Sequence, residues 1–218
     1  MLGLIAVAVP LGMAHALDAD HVLAVSALTA TKGRVGASRG GAYAVRWAIG
    51  HGGLLMLVAA ASLCLHFVLP ATLPFWAERF VGVILVVTGA LAILKLTKDR
   101  RDAIEHRHDG FSHTHGRVGG RRHDHSPTLV GMVHGLAGSA PALALIPATL
   151  LHPALGLAYV LTFSLGVLAG MLAFGLCLRT FQQALLKRAP LIADIARGAL
   201  GALAILIGAI WFAARWSS

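Results

Sequence analysis

The chain has 218 residues, of which 57% are hydrophobic and only 12% charged, against about 45–50% apolar and about 25% charged in soluble domains. Its mean hydropathy is +0.78. Its apolar residues fall in runs of ~18–25, enough for a helix to cross a hydrocarbon core of about 30 Å. A water-soluble enzyme, a disordered chain and a collagen-like chain are thereby excluded, and an all-α integral membrane protein is expected. The net charge of +9 would suggest nucleic acid in a soluble protein. Here the basic residues lie between apolar runs and orient the chain in the bilayer instead, so no nucleic-acid partner is expected.

Six transmembrane helices are predicted, at 2–31, 45–69, 80–96, 128–151, 154–181 and 191–216. Met1-Leu2-Gly3 has no basic run before the first of them, so a cleavable signal peptide is not expected. The third span is short and the first is interrupted by polar residues. Pro70 and Pro74 punctuate the second loop, and His152-Pro153 makes a tight fourth one. The organisation is therefore three helices in 1–96, a loop at 97–127 and three helices in 128–218.

Sixteen of the eighteen Lys and Arg residues lie in or beside the first, third and fifth loops, leaving Arg79 and Arg215 for the other side. By the positive-inside rule those loops face the cytoplasm and both termini face outside, in the cytoplasmic membrane. Trp76, Tyr159 and Trp216 fall near outer ends and Tyr43 and Trp47 near an inner one, as interfacial aromatics.

The two halves are alike. Gly12-Met13-Ala14-His15-Ala16-Leu17 is echoed 119 residues later by Gly131-Met132-Val133-His134-Gly135-Leu136, and Gly82 and Gly89 by Gly201 and Gly208. Three spans per half is an odd number, so the second half enters from the opposite side. The expected architecture is an inverted 3+3 repeat, in which transporters hold substrate near the midplane.

The chemistry concentrates in His15-Ala16-Leu17-Asp18-Ala19-Asp20-His21, two carboxylates and two imidazoles within an apolar span. Each Asp at a helix centre costs about 2.5–3.5 kcal/mol on insertion, and such residues pair with one another or mark an ion pathway. At about 100° and 1.5 Å per residue, His15, Asp18 and His21 share one face, with Asp20 pointing elsewhere and the two His about 9 Å apart along the axis. An unbroken helix cannot easily offer all four to one ion. Either the helix unwinds here or the ion passes two successive stations. Imidazole with carboxylate suits nickel, cobalt, zinc or copper(II) rather than magnesium or calcium. His51, flanked by Gly50, Gly52 and Gly53, and His134, the repeat-mate of His15, join the candidate metal set of His15, Asp18, Asp20, His21, His51 and His134. Ser139 is a weaker candidate beside Gly138 and Pro141.

The pattern His-x4-Asp-His, here His15 to Asp20-His21, resembles the signature of the nickel/cobalt transporter family. Trp47-Ala48-Ile49-Gly50-His51 resembles that family's second His motif. The resemblance implies selective movement of Ni²⁺ or Co²⁺, with His15, Asp20 and His21 at the selectivity site and Asp18 also within the pattern. Typical members have more spans and an acidic later motif, replaced here by the run from His134 to Pro141. The chain thus looks like a short branch, similar to urease-accessory-type nickel permeases.

Residues 97–126 carry His106, His108, His113, His115, His123 and His125, half of the chain's 12 His, among Arg and Asp. Such a tract reads as metal-binding by composition, and without apolar content as an otherwise disordered loop. The expected function is transport of Ni²⁺ or Co²⁺ as substrate, with no cofactor and with uptake favoured. Its partners are the lipid bilayer, the divalent ion and a cytoplasmic metallochaperone or urease/hydrogenase maturation system. A nickel/cobalt efflux permease is the alternative. An intramembrane zinc enzyme lacks its HExxH motif, so no enzymatic activity is expected. A thiol-based electron carrier has in its favour Cys64 and Cys177, which sit at nearly equivalent places in the second and fifth spans, though neither has a Cys partner nearby or a setting that lowers its pKa.

Overall fold

The structure, a computed structural model, describes residues 2–31, 37–68, 70, 72–105, 126–137 and 140–213. Its elements are helices: α1 (Leu2–His15), α2 (Ala19–Thr31), α3 (Ala37–Leu65), α4 (Thr72–Glu105), α5 (Ser126–Gly135), α6 (Ala140–Thr149), α7 (Pro153–Arg188) and α8 (Pro190–Ala213). Four apolar stretches are long enough to cross a membrane: Val45–Leu65, Phe75–Asp99, Pro153–Arg188 and Pro190–Ala213. Ile5–His15 is a shorter apolar helix. The chain is a multi-pass helical membrane protein.

The structure departs from an unbroken first and fourth span. The first breaks after His15 and resumes at Ala19; the fourth breaks after Gly135 and resumes at Ala140. At about 1.5 Å per residue, α1 and α2 are each about 20 Å long and α5 and α6 about 15 Å. None of these pieces alone crosses a core of about 30 Å. Irregular backbone within a membrane is tolerated only where protein or a cavity covers it; at the first break Ala16 is buried while Leu17 is exposed, and at the second Ala137 is buried. α4 and α7 overrun both expected ends, whereas α3 starts earlier, at Ala37, and closes earlier, at Leu65. α4 continues to Glu105, and in its last part the exposed Lys95 Nζ lies 2.7 Å from Asp99 Oδ1. The remainder of the His-rich segment, His106 to His125, and Gly138 and Ser139 lie outside the described residues.

Proline and local caps set the boundaries. Pro153 opens α7 after His152, whose extended backbone (φ −56°, ψ 143°) suits a residue preceding proline. α3 closes on His66 at φ 54°, with Phe67 N–H donating to the Ala61 carbonyl at 3.1 Å. That is the left-handed cap usually given to glycine.

Glycine faces then bring the helices together. α1 packs on α7, α3 on α5 and α7, and α4 on α8. Gly12 lies against the Phe163 carbonyl and Gly131 against that of Trp47; Gly166 lies against Val9 and Gly50 against Thr128. In the α4–α8 pair Gly82 meets Gly208 and Gly89 meets Gly201. In lipid, where apolar burial gives no drive for helix association, such small residues let backbones approach and gain dispersion contacts. Two aromatics expected at the membrane interface are instead interior: Trp47 and Tyr159 are fully buried, the latter donating its hydroxyl to the Leu143 carbonyl at 3.0 Å. Helix crossing at this point leaves them no path to the surface. Trp76, by contrast, is exposed.

Candidate metal centre

The break after His15 is made by two tightened turns, Leu17 N–H to the Ala14 carbonyl and Asp18 N–H to the His15 carbonyl, both at 3.0 Å. α2 then restarts with Val22 N–H donating to the Asp18 carbonyl. Asp and its short polar side chain favour such a restart over a continuous helix. Asp20 sits in the first turn of α2, where the helix N-terminus favours its negative charge. The second break has the same form: Leu136 N–H reaches the Val133 carbonyl and Ala137 N–H the His134 carbonyl.

Unwinding converts an axial separation into a cluster. His15 and His21 would be about 9 Å apart along a continuous helix, yet their ring centroids are 4.6 Å apart. His51, from the middle of α3, closes the group. Ring nitrogens of His15, His21 and His51 all lie within 4.8 Å of one another, and all three residues are buried. A first-row divalent ion about 2.0–2.1 Å from each nitrogen needs donor separations of about 3–4 Å, so this set closes around an ion with shifts of under an ångström.

The imidazoles are oriented by their other nitrogens. His15 Nδ1 lies 2.9 Å from Asp18 Oδ2, His21 Nδ1 donates to the His15 carbonyl at 2.9 Å, and His134 Nδ1 donates to the Val130 carbonyl at 2.8 Å. With Nδ1–H engaged, Nε2 carries the lone pair that a metal needs. His21 Nε2 and His134 Nε2 are buried with no hydrogen-bond partner among the described residues. A buried polar atom left so costs about 1–3 kcal/mol unless a ligand takes it up. His51 Nε2 stands 3.2 Å from His15 Nε2. Because the His15 proton is held by Asp18, His51 supplies the proton of that contact, and its own Nδ1 is a further unpartnered atom.

Asp20 is buried, with Oδ2 3.7 Å from His21 Nε2 and 4.0 Å from His134 Nε2. Asp18 is placed differently. Its side chain is 39% exposed and touches His15 rather than the centre. Of the six candidates, then, the tertiary structure gathers His15, His21 and His51 directly, sets Asp20 and His134 beside them, and leaves Asp18 behind His15.

Sequence reasoning passed over two neighbours. The Trp47 indole packs against His21, His51 and His134, with centroids 4.8, 5.0 and 5.7 Å away. Phe163 lies 5.7 Å from His15. Trp47 precedes His51 by four residues and so shares its helix face, a signal that could have placed it here. Phe163 has no such marker.

The cysteines do not form a pair. Cys64 and Cys177 are both exposed. Gly156 packs against Leu63, so Cys64 is level with the start of α7, whereas Cys177 lies 21 residues further along it, about 30 Å away at 1.5 Å per residue. Equivalent places along two antiparallel helices are opposite ends of the bundle.

Residues 24–210 match the family described as cytochrome c biogenesis protein transmembrane region. The urease accessory protein UreH of Bacillus sp. (strain TB-90) is 31% identical over 174 residues, covering 80% of this chain and 75% of that protein. No solved structure matches. The family match includes His51 and His134 but begins after His15, Asp20 and His21.

Proposed function

The chain belongs to the family of cytochrome c biogenesis transmembrane regions, and we propose that within it this protein moves a divalent transition-metal ion, Ni²⁺ or Co²⁺, across the cytoplasmic membrane. The observation that carries this reading is the convergence of buried imidazole nitrogens from α1, α2 and α3 on one point, with a buried carboxylate beside them. Nitrogen donors with one carboxylate select first-row transition ions over magnesium and calcium. His15, His21, His51, Asp20 and His134 hold the dehydrated ion, and Asp18 orients His15 from behind. The relative's name, a urease accessory protein, agrees with a role in supplying a metal to an enzyme's maturation, and a cytoplasmic metallochaperone is the natural recipient.

The transport cycle we propose uses two inverted halves, 1–96 and 128–218, each counting its broken helix pair as one span, for six in all. The glycine contacts support it. A shift of 119 residues carries Gly12 onto Gly131 and Val9 onto Thr128, and exchanges the Gly82–Gly208 contact for Gly89–Gly201. Broken helices at matching places in the two halves are what a midplane site requires. Positive charge puts the loops after the first, third and fifth spans, including the His-rich segment, in the cytoplasm, where that segment collects arriving ions.

Uptake is the favoured direction. An inside-negative potential is worth about 2.3 kcal/mol per charge per 100 mV, so a dication gains about 4.6 kcal/mol, roughly a thousandfold gradient. Efflux would need a coupling ion. The test is ⁶³Ni²⁺ or ⁵⁷Co²⁺ uptake into proteoliposomes with and without an imposed potential. Accumulation that rises with an inside-negative potential supports uptake. Movement only against it would favour efflux, and no flux of either metal would sink the transport reading.

The family's description gives one specific reason to weigh a thiol-based electron carrier. Two exposed cysteines about 30 Å apart along the bundle cannot exchange a disulfide with each other, so metal movement remains the better account.

A further inference from the structure

Resting on the metal-transport reading, we propose that the centre is two overlapping ion stations that share His21, and that the ion crosses the midplane by exchanging one pair of ligands for another. The first station is His15, His21 and His51. The second is His21, Asp20 and His134.

The donor geometry separates them. His15 and His51 face each other with Nε2 atoms 3.2 Å apart, and with His21 they gather within 4.8 Å. Asp20 is not a member of that close-set group. Its Oδ2 lies between the unpartnered Nε2 atoms of His21 and His134, 3.7 and 4.0 Å from them. These separations are too long for hydrogen bonds but close to those of donors around a common ion of about 2.0–2.1 Å bond length. Two imidazole lone pairs directed at a carboxylate gain nothing from one another; a cation between them satisfies all three. The rings of His21 and His134 are 5.4 Å apart, as are those of His21 and His51, so His21 is equally near to a ligand of each station.

The chain path gives the stations different sides. His15 ends α1 and His134 ends α5, and these two half-helices enter from opposite faces if the halves are inverted. The first station is then reached along α1 and the second along α5. His21, on the restart of α2, belongs to neither entry route and stays with the ion throughout. One shared ligand means one ion at a time.

Co²⁺ absorption of the purified full-length chain, together with proteoliposome uptake, tests this. His51→Ala removes only the first station and His134→Ala only the second. Each should still bind one Co²⁺ per chain, with two distinct ligand-field spectra, and each should lose transport. His21→Ala and the double variant His51→Ala/His134→Ala should lose binding. Elution volume and helical circular dichroism establish which variants are folded, with His→Gln replacements used for any that are not. Loss of Co²⁺ by either folded single variant would mean one undivided centre and overturn the two-station inference, leaving metal transport standing. Identical spectra from the two single variants would overturn it as well. A wild-type chain that binds no Co²⁺ would remove the transport reading itself.

Discussion

Gly135 closes the contact between α5 and α3 at the point where both reach the centre, and replacing it with alanine probes how tightly that contact sets the site. A Cβ there would stand 2.8 Å from the His51 carbonyl oxygen and 3.1 Å from His51 Nδ1, where ordinary contact begins at 3.4 Å. The deficit of about 0.6 Å is against backbone, so the helices must part or His51 must turn. Overpacking of this kind costs about 1–3 kcal/mol, partly offset by about 0.5–1 kcal/mol from removing a helical glycine. The net loss expected is about 1–2 kcal/mol. Transport should suffer more, since His51 Nε2 holds a 3.2 Å contact with His15, and a misplacement of about 1 Å at a reacting centre can cost about 100-fold. Half of that displacement corresponds to about tenfold. Gly53→Ala is the control, two residues from His51, with nothing within 4 Å of the added Cβ; it should be neutral or slightly stabilising. Thermal unfolding in detergent and initial ⁶³Ni²⁺ uptake measure both. Equal behaviour of Gly135→Ala and Gly53→Ala would refute the claim that the α3–α5 contact positions the site.

Asp18→Asn should retain the fold and slow ⁶³Ni²⁺ uptake about 10–100-fold, the usual effect of removing an orienting partner; loss of uptake as complete as that of His15→Ala would make Asp18 a direct ligand. His15→Ala, Asp20→Asn and His21→Ala should each abolish uptake; the rise in melting temperature given by Ni²⁺ to the wild type, which follows ligand concentration over Kd, should vanish in His21→Ala and persist, reduced, in His15→Ala and Asp20→Asn, each of which keeps one station. His66→Ala should leave uptake near wild type and lower stability slightly, because His66 serves only the left-handed cap of α3. Replacing Cys64 and Cys177 with serine should leave uptake intact, and loss of uptake in that folded variant would revive the thiol reading. In the same background, a cysteine introduced at Ser112 should resist an impermeant thiol reagent on spheroplasts; labelling would reverse the proposed orientation.

Hydropathy is a local property, set residue by residue by the lipid solvent, so the membrane class and the approximate span positions were legible without a structure. The same reasoning singled out His15, Asp18, Asp20 and His21, because ionisable groups inside an apolar span have no other ready explanation. It also left open whether the first helix unwinds there. Tertiary structure decided that point, since breaking a helix inside a membrane is tolerable only when neighbouring groups cover the freed backbone, and Ala16 at the break packs against Gly170 of α7. It separated the two aspartates, turning Asp20 inward and Asp18 back onto His15. It moved Trp47 and Tyr159 from an expected interface to the interior and set the two cysteines at opposite ends. All of these depend on which helices cross and at what height. That is fixed by glycine faces meeting carbonyl oxygens on segments more than thirty residues away, a match between distant surfaces that no local pattern of hydrophobicity encodes.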